Sequence, residues 1–141
     1  MIINQIAIGG GSGEVMQYAE GTIVPTKPST YTNPSTVTIS GIGFVPDIFR
    51  IYYKSTNHTS FIVHDIWYDK TSGRTVNGTA RYLDSDSNVC ECAVTATVTI
   101  SGDSVTISKI GGKAYVSGSA EYGTAYFLGG YTYYWYAIKK V

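Results

Sequence analysis

Cys90 and Cys92 are the only cysteines of the chain, and they flank Glu91 in a strand-like run. Residues i and i+2 of one strand share a face but sit roughly 7 Å apart, beyond comfortable disulfide reach. They continue a row with Val94, Ala96, Val98 and Ile100, so buried free thiols are the expectation. A structural zinc site needs four ligands, and the two histidines, His58 and His64, are not spaced to complete one. Asp84-Ser85-Asp86-Ser87-Asn88 opens like a calcium loop, with oxygen ligands at positions 1, 3 and 5. The match stops there, because position 6 is Val89 instead of Gly and position 12 is Thr95 instead of Glu. An acidic turn explains the stretch better, since Asp, Asn and Ser hydrogen-bond their own backbone. His64 and Asp65, as neighbours in a strand, point to opposite faces, and no G-x-S-x-G elbow supplies a nucleophile. Gly9-Gly10-Gly11-Ser12-Gly13 lacks the G-K-[ST] of a phosphate loop. The reading is therefore non-enzymatic, with no metal and no cofactor.

Aromatic residues are the remaining chemistry. Trp67, Tyr68 and Trp135 are the candidates for a sugar-stacking platform, because rings offer apolar faces and Tyr and Trp add polar handles. Packing in a core or against another subunit is the competing reading of the same three.

The elements that hold these residues follow from composition. Two leucines stand against twenty-seven valines and isoleucines, with seventeen threonines and thirteen tyrosines. Val, Ile, Thr and Tyr fit a pleated, half-buried surface, whereas Leu is the common apolar residue of helices. The 141 residues suit one domain with its own core. The expected fold is all-β: a single antiparallel β-sandwich, jelly-roll or Ig-like, over residues 17–141, with an N-terminal arm and glycine-rich linker over residues 1–16. Ten basic residues balance ten acidic ones, which argues against a nucleic-acid partner. No apolar run approaches the roughly 18 residues of a membrane helix, and the start lacks the basic region of a signal peptide. No membrane association and synthesis in the cytoplasm are expected.

Strands are expected over Tyr18–Pro25, from Val37, over Ile48–Lys54, Ser60–Tyr68, Thr79–Leu83 and Asn88–Ile100. In Ile48–Lys54, Phe49, Ile51 and Tyr53 take one face, and Arg50 and Tyr52 the other. Val98–Ile107 reads as a hairpin around Ser101-Gly102-Asp103-Ser104. Tyr126-Phe127-Leu128 and Tyr131–Ile138, either side of Gly129-Gly130, read as a second one. The last strand is aromatic on both faces and should be central or meet a partner. Ile2, Ile3, Ile6 and Ile8 precede the flexible run Gly9–Gly13, so the arm either folds back as an edge strand or adds a strand to a neighbouring subunit.

Gly21-Thr22-Ile23-Val24-Pro25, Val37-Thr38-Ile39-Ser40-Gly41-Ile42-Gly43-Phe44-Val45-Pro46-Asp47 and Tyr133-Tyr134-Trp135-Tyr136-Ala137-Ile138 resemble stretches of small β-rich virion proteins of tailed bacteriophages and prophages. Those are tail-fibre, tail-tip and head-decoration components, in which a G-[LI]-G-F-x-P-D turn feeds a hydrophobic strand. The resemblance implies a virion structural protein made in the bacterial host cytoplasm. Its partners would be itself, as a homo-oligomer such as a trimer, and other virion proteins. The alternative is a carbohydrate-binding receptor-recognition domain of a tail fibre, with a host-surface glycan as partner. The resemblance transfers no binding residues.

Overall fold

Alternating β-branched and aromatic residues can bury one face of each strand and wet the other, and this rhythm builds ten strands among the described residues of a computed structural model. It describes residues 2–7, 15–54, 62–70, 74–83, 89–116 and 119–140. The strands are β1 (Ile2–Ala7), β2 (Val15–Ile23), β3 (Val37–Ile39), β4 (Ile48–Tyr52), β5 (Ile62–Asp69), β6 (Arg74–Leu83), β7 (Val89–Ser101), β8 (Ser104–Val116), β9 (Ser119–Thr124) and β10 (Tyr133–Lys139). They form one sheet in the order β1-β2-β10-β4-β5-β6-β7-β8-β3, and β9 pairs with β8. All these pairings are antiparallel.

The all-β expectation holds. The hydrogen-bonding path is continuous through one sheet. The sheet curls into a nearly closed, barrel-like form around a single core. That core takes Phe49 and Ile51 from β4, Trp135 and Tyr133 from β10, Val105 and Ile107 from β8, and Val37 and Ile39 from β3. A curled sheet hides its inner face from water.

The Gly41–Asp47 turn shows how a local motif serves the core. Gly41 and Gly43 have φ of 73° and 91°, a region that favours glycine. Between and after them Ile42, Phe44 and Pro46 are buried while Val45 is exposed. The crossover is tied to the β7–β8 turn by Ile42 N–H to Asp103 O (3.1 Å) and Gly43 N–H to Asp103 Oδ2 (3.3 Å). The Ser101–Ser104 hairpin is thus present and also anchors the connection from β3 to β4.

Two expectations need correction. The second hairpin does not form: β10 pairs with β2 and β4, while Tyr126 makes an isolated parallel bridge to Ile62. Central placement gives β10 partners on both sides, consistent with its two aromatic faces. Residues beyond the expected Ile107 continue β8 to Val116, and β9 follows. As for the arm, β1 lies on β2 of its own chain, the fold-back alternative of the two, with Ile2 opposite Glu20 and Ala7 opposite Val15. Ile2, Ile3 and Ile6 are in that strand, whereas Ile8 lies outside the described residues. Asp84–Asn88 and His58 also lie outside them, as do the side chains of Cys90 and Cys92. No helix among the described residues is long and apolar enough to cross a membrane.

Candidate functional site

The register across β2, β10, β4 and β5 decides which aromatic residues meet. On the inner face one row runs Gly21, Trp135, Ile51, Ile66, and the next runs Ala19, Ala137, Phe49, Tyr68. Trp135 is 5% exposed and stacks on Phe49 with ring centroids 6.1 Å apart. Its indole fills the space over Gly21, where an added Cβ would lie 2.8 Å from Cζ2. A residue larger than glycine cannot sit there unless the ring moves. Tyr68 is half-buried and packs against the core on the same side. Trp67 is one residue off this row, on the outer face, and 40% exposed. The three platform candidates are therefore divided between two faces, and the structure does not bring them together. Trp135 occupies the core position that was the competing reading.

The outer face carries a different set. One row runs Glu20, Tyr136, Arg50, Trp67; the next runs Thr22, Tyr134, Tyr52, Asp65. Tyr18 and Tyr136 stack at 6.3 Å, and Tyr52 and Tyr134 at 5.8 Å, with interplanar angles of 22° and 25°. Such cross-strand pairs stabilise a sheet by roughly 0.2–1 kcal/mol each. Cations dress the second stack: Arg50 Cζ lies 4.7 Å from the Tyr52 centroid and Lys54 Nζ lies 3.9 Å from that of Tyr134.

Polar pairing holds these side chains in place. Arg50 donates from Nε to Asp65 Oδ1 (3.0 Å) and from Nη2 to Asp65 Oδ2 (2.6 Å), a two-pronged geometry that fixes the guanidinium plane. That bonding drives the already high Arg50 pKa further up. The Tyr18 hydroxyl donates to Glu20 Oε2 at 2.6 Å. Burial first, and then this hydrogen bond, push the Tyr18 pKa up to about 12. Tyr133, wholly buried on the inner face, donates to Val63 O (2.7 Å) and accepts from Leu128 N–H (3.0 Å). Its pKa is raised as well, chiefly by burial.

A groove of about 450 Å³ opens over β2, β10 and β4 between the two tyrosine stacks. Tyr18 and Tyr136 form one wall and Tyr52 and Tyr134 the other, with Glu20, Thr22 and Lys54 at the rim. Sequence reasoning missed this groove. Its signal was the alternation that put Tyr52, Tyr134 and Tyr136 opposite the core-facing residues. The pairing of β10 with both β2 and β4 could not be read locally.

Among the described residues no three His, Cys, Asp or Glu side chains gather where a metal could be held. His64 and Asp65 do not act as a pair: the His64 ring lies edge-on to Tyr53 at 6.3 Å, while Asp65 holds Arg50. Comparison with protein-family models, curated proteins and solved structures finds no match to this chain.

Proposed function

We propose that this chain is a non-enzymatic structural protein of a tailed-phage particle, a tail-fibre, tail-tip or capsid-decoration component, that works as a homo-oligomer. The observation that carries the proposal is β1. It is rich in isoleucine, it ends the sheet, and it lies along the edge of β2 in a six-residue ladder. An edge strand on a tether can leave its own sheet and fill the same ladder in a neighbour at little cost, because the bonds broken and formed are alike. On this reading residues 1–16 are the assembly arm, and residues 17–141 are a sandwich-type domain, jelly-roll or Ig-like, presented by it. The resemblance of Val37–Asp47 and Tyr133–Ile138 to phage virion proteins supports the setting.

Cross-linking tests the exchange. Gln5 and Gln17 are register partners across β1 and β2. Gln5→Cys with Gln17→Cys, in a Cys90→Ser, Cys92→Ser background, should give covalent oligomers on oxidation. Cross-linked monomers alone would mean that each arm stays on its own chain.

A further inference from the structure

We infer that the groove between the two tyrosine stacks is a binding site for a neutral oligosaccharide of hexose or N-acetylhexosamine units. The inference is independent of the assembly proposal, since the groove lies on the outer face of β2, β10 and β4 and needs no second subunit. The volume of about 450 Å³ falls within the roughly 300–1,000 Å³ of small-ligand sites.

The chemistry of the walls selects the ligand. A pyranose alternates C–H patches, which pack on aromatic rings, with hydroxyls that both donate and accept hydrogen bonds. The four tyrosines supply rings together with hydroxyls. Thr22 adds a hydroxyl, Glu20 adds acceptors and Lys54 adds donors. The Tyr18 hydroxyl engages Glu20 Oε2, and a carboxylate has about four lone-pair sites, so one such bond leaves capacity for a ligand hydroxyl. Lys54 over the Tyr134 ring places an ammonium with three N–H donors at the rim.

Charge narrows the class. Glu20 and Lys54 balance at the rim, and beside them Arg50 is bonded to Asp65. A ligand with a net charge would meet one like-charged rim group for every opposite one. A neutral polyol meets complementary donors and acceptors on both sides. Stacked rings and the Arg50–Asp65 pair also order the walls in advance, which lowers the entropy that binding must offset.

An array of immobilised neutral oligosaccharides, with sialylated and sulfated glycans beside them, tests this on the full chain. Neutral glycans should bind, and competition with the best free trisaccharide should give a measurable Kd. Tyr134→Ala should weaken that Kd at least tenfold. Because this variant also removes a cross-strand ring, Lys54→Met and Thr22→Val, which leave every ring in place, are measured in parallel. Each should weaken binding severalfold with the thermal melt unchanged, while Tyr31→Ala, in the exposed loop before β3, should bind as the parent does. Binding by neither class, binding of anionic glycans alone, or neutral binding unaltered in both rim variants would overturn the assignment.

Discussion

Trp135 and Gly21 act as one packing unit. The indole occupies the place where any side chain at 21 would have to go, so each residue type makes sense only with the other. Trp135→Ala should cost about 3–5 kcal/mol in denaturant unfolding, as buried aromatics do on truncation. Gly21→Ala should cost about 1–3 kcal/mol by overpacking. In a Trp135→Phe background, where the offending ring atoms are gone, the Gly21→Ala cost should fall, and a double-mutant cycle measures that coupling. Tyr18 offers a second check, through pH. Its proton is held to about pH 12 in the fold, against about 10 for an unfolded tyrosine. The resulting stabilisation is complete below about pH 10 and is lost as pH rises through about 12. In an alkaline absorbance titration Tyr18 and Tyr133 should ionise later in the folded chain than in the unfolded chain, and Glu20→Gln should bring Tyr18 earlier.

Strands were legible where the signal is local. In β4 the alternation of Phe49 and Ile51 with Arg50 and Tyr52 separates inner from outer residues correctly, because pleating alone imposes it. The Ser101–Ser104 turn was legible for the same reason. The partners of β10 were not, because β2 and β4 come from the other end of the chain and no local pattern states the register. Gly129-Gly130 marks a turn whose two sides never pair. Gly111-Gly112 falls within β8, which hid the rest of that strand behind a signal usually read as a turn. The groove depends on this long-range pairing, whereas Trp67, Tyr68 and Trp135 were grouped by residue type alone. The Gly41–Asp47 turn carries its own test. At φ of 91°, Gly43→Ala should destabilise by about 1–2 kcal/mol in thermal or chemical melts.

The assembled particle, as proposed, joins two surfaces with separate duties. The edge carrying β1 connects subunits, and the tyrosine-walled face remains outward for a ligand. A formally neutral chain with thirteen tyrosines and ten charges of each sign self-associates readily unless its edges are paired. Exchange of β1 between copies would join them through β2 while keeping the same ladder. The most direct measurement is light scattering of the full chain beside a chain lacking residues 1–13, with circular dichroism and a thermal melt on both. The account predicts a defined oligomer for the full chain. The truncated chain should be a monomer that keeps its β signal and unfolds cooperatively. A truncated chain that assembles as the parent does, or a full chain that is monomeric, would contradict it.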